Sequence, residues 1–247
     1  MAVTSMNAQY RNGADIIHAY LSLPDREGPH AAVIVIPAVF GVNEYIREIT
    51  RRLARAGLAG LAIDFYSREG TPTDLSSRER ILAALAGLPD DRVVSDVIAA
   101  IDYLSGLDGI DGQRIGALGF CVGGTYAILA ACRTHRIRAA VEFYGQVKYR
   151  QLTENKPRSP IDVVSELNAP LLGHHGERDD LIPPSVVAEF RERLDEHNKV
   201  YEIYSYPGCG HAFHEDYRPV YRPVAAHEAW QRTLVFFHWY LKGHRFD

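Results

Sequence analysis

Gly119-Phe120-Cys121-Val122-Gly123-Gly124 stands between a short apolar run, Arg114–Leu118, and an apolar stretch of helical length, Val122–Cys132. A strand that ends in glycines and passes at once into a helix can lift one side chain onto a sharp, strained turn. Only very small residues fit two positions either side of that side chain, and Gly119 and Gly123 occupy both positions. The helix that follows aims its N-terminal N–H groups at the turn, where they can bind a developing oxyanion and favour a thiolate. Cys121 is therefore the candidate nucleophile. The plainer reading, a buried structural cysteine beside a glycine-rich helix start, accounts for the pentapeptide alone but not for its strand–helix setting.

Outward from this turn the chain alternates between two patterns. Ala31–Pro37, Leu58–Phe65, Arg114–Phe120, Ala139–Tyr144, Pro170–His175 and Val200–Tyr206 are short apolar runs that read as strands. Glu44–Ala56, residues 76–86 and 92–105, Val122–Cys132, Pro184–Glu196 and Val224–Leu241 read as helices. In the first of these, Ile46, Ile49, Leu53 and Ala54 share one face. Near-continuous apolar strands separated by helices predict an α/β fold with a mostly parallel sheet covered on both faces. The first two runs, Val3–Tyr10 and Ile16–Leu23, alternate instead and flank Arg11-Asn12-Gly13, which predicts an antiparallel hairpin at the N-terminal edge. Ser67–Leu75, Gln146–Pro160 and Tyr217–Pro223 read as loops over a sheet edge.

A nucleophile on such a turn needs an acid and then a base later in the chain, each at a strand end. Gly176-Glu177-Arg178-Asp179-Asp180-Leu181-Ile182-Pro183 follows one strand, and Gly208-Cys209-Gly210-His211-Ala212-Phe213 follows another. His211 is the candidate base and Asp179 the residue that orients it. Asp179 is favoured over its neighbour Asp180 because it stands at the strand tip.

Composition bounds the rest. The chain has 247 residues, 47% of them hydrophobic and 23% charged, which is the profile of a globular protein with a sizeable core. Its 27 Lys and Arg against 31 Asp and Glu give a net charge of −4, and no basic run is present, so a nucleic-acid partner is not expected. No apolar stretch reaches the roughly 18 residues of a membrane span, and no signal peptide is seen at the start. Three cysteines are too few for a disulfide framework, so a reduced, cytoplasmic protein is expected. His174-His175, and His211 with His214 and Asp216, lack a standard metal spacing, and no metal or other cofactor is expected.

The residues also carry a resemblance. Val35–Arg51, Asp64-Phe65-Tyr66, the Cys121 turn and the Asp179 and His211 loops resemble the dienelactone hydrolase (carboxymethylenebutenolidase) family of α/β-hydrolases over essentially the whole chain. The resemblance implies one α/β-hydrolase domain over residues 1–247 and a Cys121–His211–Asp179 triad. It also implies an oxyanion hole from the backbone N–H groups of Val122 and Val39, and it places Ala38 and Phe40 beside the substrate. Two positions depart from the family. Its members usually carry a glutamate where Ala38 stands, bonded to the resting thiol. Of the two arginines that grip the carboxylate of a dienelactone, a gapless count puts Arg78 at the first position and Glu215 at the second, so Glu215 is expected to disfavour anionic substrates. Without a glutamate at position 38, a larger share of thiolate at rest is also expected.

The expected function is hydrolysis of a small ester or lactone through a thioester, by a monomer or small homo-oligomer. The rival is a small-ligand-binding protein on the same fold with weakened turnover. A thiol redox protein using Cys121 and Cys209 lacks a CxxC motif. Cys132, Cys209 and the aromatic run Phe236, Phe237, Trp239 and Tyr240 read as packing residues. His175 reads as lining the site from its strand tip, and Tyr144 is open between pocket lining and ordinary packing.

Overall fold

A computed structural model of the chain describes residues 2–242. Eight strands form one sheet: β1 (Val3–Asn12), β2 (Asp15–Pro24), β3 (His30–Ile36), β4 (Ala59–Ile63), β5 (Ile110–Phe120), β6 (Ile137–Phe143), β7 (Leu171–Gly176) and β8 (Tyr201–Tyr206). Their order across the sheet is β1-β2-β4-β3-β5-β6-β7-β8. Six α-helices connect or follow them: α1 (Glu44–Arg55), α2 (Arg78–Ala86), α3 (Asp90–Ser105), α4 (Val122–Arg133), α5 (Pro184–Glu196) and α6 (Pro223–Lys242).

The edge hairpin forms with a tighter turn than the sequence suggests. The ladder continues to Asn12 opposite Asp15, and Gly13 supplies the left-handed φ of +61° that a two-residue turn demands. β2 also runs antiparallel to β4, while β4, β3, β5, β6, β7 and β8 run parallel to one another. Parallel strands are covered on both faces, and β3 shows this residue by residue. Ala32, Ile34 and Ile36 join one core with Val93, Val97 and Ile101 of α3 and Tyr126 of α4. Ala31, Val33 and Val35 join the opposite core with Ile46, Ile49 and Leu53 of α1 and Phe237 of α6. The face expected for α1 is the face it buries, and Asn43 caps its start by accepting from Ile46 N–H at 3.1 Å.

The chain steps from β3 to β4 on one side and to β5 on the other. Such a switch in strand order opens a crevice at the carboxyl ends of the two strands, where α/β sheets place their ligands. Element ends elsewhere shift by a few residues. The largest departures lie after β6. Tyr144 does not continue the strand but leaves it at φ 44°, and two short 3₁₀ turns, Pro160–Asp162 and Val164–Glu166, close the following loop. A capping box between Ser159 and Asp162 holds the first of them, a local device that hydrophobic periodicity does not reveal.

Candidate active site

Cys121 caps α4 with φ 54° and ψ −121°, a conformation that costs a side-chain-bearing residue on the order of 1–3 kcal/mol unless its surroundings hold it. They do. Cys121 N–H donates to Phe143 O at 2.9 Å, and its carbonyl accepts from Gly124 N–H at 2.9 Å. The flanking glycines are there for space. A Cβ on Gly119 would lie 1.9 Å from the Gly123 carbonyl oxygen, and one on Gly123 would lie 2.1 Å from that of Ile36. The end of β3 thus touches the start of α4, which brings the segment after β3 to the turn. Val39, in that segment, is buried, and neither its N–H nor that of Val122 donates to a backbone carbonyl among the described residues.

Asp179 and His211 meet as their positions at the ends of β7 and β8 suggest. His211 Nδ1 lies 2.8 Å from Asp179 Oδ2. The other oxygen, Oδ1, accepts from Leu181 N–H at 2.8 Å and Ile182 N–H at 3.1 Å, which fixes the buried carboxylate. Asp180 is exposed. His211 Nε2 is buried without a hydrogen-bond partner, and the ring interacts with Cys121. Burial disfavours the imidazolium, yet its interactions with Cys121 and the Asp179 bond outweigh it and push the ring's pKa up to about 10.

Cys121, Val122 and His211 open onto one cavity of about 260 Å³. Tyr144 lines it too. Its fully buried ring packs edge-on against His211 with centroids 5.1 Å apart, and its hydroxyl has no partner. The remaining wall was not foreseen. It comes from Leu82 and Leu85 of α2, from Leu181 and Ile182 after Asp179, and from the loop carrying Tyr149 and Arg150. Only the leucine spacing in α2 could have announced it, since that helix has no fully buried residue.

Four expected substrate contacts stand elsewhere. Arg78 is exposed on the first turn of α2 and is not among the residues of the cavity wall. Ala38 is buried in the core beside α1, and Phe40 packs under the Arg218 guanidinium. Glu215 is buried outside the wall: Ala212 turns the chain at φ 62°, and the Glu215 carboxylate accepts from Tyr217 Oη at 3.0 Å and Arg218 at 3.3 Å. Burial raises its pKa. His175 likewise does not line the cavity; it is buried against Glu142, with Nε2 2.6 Å from Oε1. His174 is held by Tyr206 and Thr233, and His214 by Tyr45. Among the described residues no group of His, Cys, Asp and Glu is placed to hold a metal ion. Cys132 and Cys209 are buried and unpaired.

Comparison with known proteins agrees with this architecture. The dienelactone hydrolase family model matches residues 17–241. A Bradyrhizobium sp. protein provisionally named 2-oxo-3-(5-oxofuran-2-ylidene)propanoate lactonase is 48% identical over 227 residues, which cover 92% of this chain and 91% of the relative. An Escherichia coli K12 protein provisionally named carboxymethylenebutenolidase is 39% identical, covering 92% of this chain and 83% of its own. The crystal structure of a Klebsiella pneumoniae protein, provisionally titled dienelactone hydrolase, superposes with a TM-score of 0.93 at 33% identity, covering 97% of this chain and all of the other. The chain belongs to the dienelactone hydrolase family, on the α/β-hydrolase fold.

Proposed function

We propose that this ester and lactone hydrolase works through Cys121 as nucleophile, His211 as base and acid, and Asp179 as the group that orients the imidazole. The observation that carries the reading is the 2.8 Å bond between His211 Nδ1 and Asp179 Oδ2, which leaves Nε2 for Cys121 at the wall of the shared cavity. The lactonase name of the Bradyrhizobium relative favours a lactone as substrate.

In this reading the Cys121 thiolate attacks the carbonyl carbon, and the C=O electron pair moves onto oxygen. The N–H groups of Val122 and Val39 stabilise that oxyanion; in other hydrolases each such donor is worth about 3 kcal/mol. The tetrahedral species collapses, the ring or ester C–O bond breaks, and the leaving oxygen takes the proton from His211 Nε2. A water then gives its proton to Nε2 and attacks the thioester. The C–S bond breaks, the thiolate returns, and the acid leaves. Asp179 holds the tautomer and balances the imidazolium charge throughout.

The cysteine series tests this. Cys121→Ala should abolish hydrolysis of 4-nitrophenyl butyrate while keeping the melting temperature, because alanine fits the turn. Cys132→Ala and Cys209→Ala should retain most activity. A folded Cys209→Ala or Cys132→Ala protein as inactive as Cys121→Ala would contradict the assignment.

A further inference from the structure

Glu142 on β6 and His175 on β7 are buried, face each other across the sheet and take no part in the chemistry above. His175 Nε2 lies 2.6 Å from Glu142 Oε1, and neither residue lines the cavity. The other carboxyl oxygen, Oε2, accepts from Gly145 N–H at 2.7 Å. The sequence leaves room for this group: a Cβ on Gly173 would lie 2.7 Å from Oε1. β6 ends at Phe143, and the buried Gly145 N–H donates to no backbone carbonyl among the described residues. The Glu142 side chain supplies the acceptor that the strand ladder no longer offers.

Phe143 and Tyr144, the two residues between Glu142 and Gly145, both bear on the triad. Phe143 O accepts from Cys121 N–H at 2.9 Å, and Tyr144 packs its ring edge-on against His211. Tyr144 does so from φ 44°, a conformation that a bulky residue keeps only where its surroundings impose it. The backbone is held on both sides of that angle. Tyr144 N–H donates to His174 O at 2.8 Å, and Gly145 N–H donates to Glu142. Beyond the turn, Gly145 sits tight on the first turn of α4, where a Cβ would lie 2.7 Å from the Gly124 carbonyl carbon. His175 meets Glu142 from the strand that leads into the Asp179 loop. The pair thus joins the two segments that support His211, one through Asp179 at Nδ1 and the other through the Tyr144 ring.

Resting on the triad reading above, we propose that Glu142 is a positioning residue for the hydrolysis. Through Gly145 N–H it holds the strained Tyr144 turn, and through that turn it seats the Tyr144 ring against His211; His175 backs its carboxyl group from β7.

The test reads turnover of 4-nitrophenyl butyrate together with the ring-proton NMR signals of His211, identified by their loss in His211→Gln. Tyr144→Leu gives the position of those signals without the tyrosine ring current. Glu142→Met keeps the length of the side chain but offers Gly145 only a weak sulfur acceptor. It should lower kcat about tenfold or more and move the His211 signals toward those of Tyr144→Leu. Glu142→Gln keeps an oxygen at the same reach and should restore kcat to within about threefold, and the signals with it. Should Glu142→Met fail to fold, Glu142→Asp, which draws the acceptor back by one methylene, carries the same two readouts. The NMR arm needs no turnover. If the ester is not hydrolysed, or Cys121→Ala hydrolyses it as fast as the parent, the triad reading fails and the NMR arm alone decides whether Glu142 seats Tyr144. A folded Glu142→Met or Glu142→Asp protein with kcat within twofold of the parent, or with unmoved His211 signals, would overturn the proposal. So would a Glu142→Gln protein as impaired as either.

Discussion

Against the cost of burial, the attraction to Cys121 and the Asp179 bond at Nδ1 favour the charged His211 imidazolium. Its folded pKa of about 10 stands above the ordinary 6.5. The attraction therefore stabilises the fold fully below about pH 6.5 and is lost as pH rises through about 10. Cys121→Ser replaces the thiol on one side with a much weaker acid and leaves Asp179 on the other. The imidazole NMR titration of that variant should have a midpoint below that of the parent protein; equal midpoints would show that the sulfur carries no negative charge beside the ring. At this scale the meeting of His211 with Asp179 beside Cys121 was legible because each stands in a local pattern of glycines at a strand end. The positions of Arg78 and Glu215 off the cavity wall were not, because they depend on the path of a loop. Glu215 is turned inward by a left-handed Ala212, a conformation that alanine seldom announces.

α2 lies at the rim of the core. None of its residues is fully buried; Leu85 packs against the core as well as the cavity wall, and Leu82, 47% exposed, also lines that wall. Leu82→Ser should leave the melting temperature within about 2 °C, since surface substitutions cost little. KM for 4-nitrophenyl butyrate should rise several-fold as apolar contact is lost. A large drop in melting temperature with KM unchanged would show instead that Leu82 supports the core. The same helix shows what periodicity can and cannot give. Runs such as Ala31–Ile36 announced strands buried on both faces, and the α1 face followed from spacing alone. The course of 146–166 did not, because a Thr153–Lys156 bridge, two 3₁₀ turns and anchors to Asp90 fix it, and these pair residues far apart in sequence.

Over the whole molecule, Asp96 joins parts that no local pattern connects. Fully buried on α3, it receives two bonds of 2.8 Å from Arg68, which follows β4, and one of 2.7 Å from Asn12 on the edge hairpin; Tyr10 donates to its backbone carbonyl. Removing one partner of a buried pair leaves the other charge unmatched and costs about 3–5 kcal/mol. Asp96→Ala should lower the unfolding free energy by about 3 kcal/mol in urea denaturation and speed amide exchange in β1 and β2. A loss below about 1 kcal/mol would mean the hairpin is held by its ladder alone. The strand order belongs to this scale too. The sequence predicts a parallel sheet with an edge hairpin, but which strands neighbour one another rests on pairings such as β3 with β5 that span many residues. That pairing places the Cys121 turn beside Val39 and makes the crevice. The most direct measurement is therefore rapid quenching of the reaction with 4-nitrophenyl butyrate, followed by digestion and mass spectrometry. A butyryl group on the peptide bearing Cys121, formed within one turnover and lost on the timescale of product release, is the expected result. Steady turnover with no acyl group on Cys121, or with the label on Cys209 or Cys132, would contradict it.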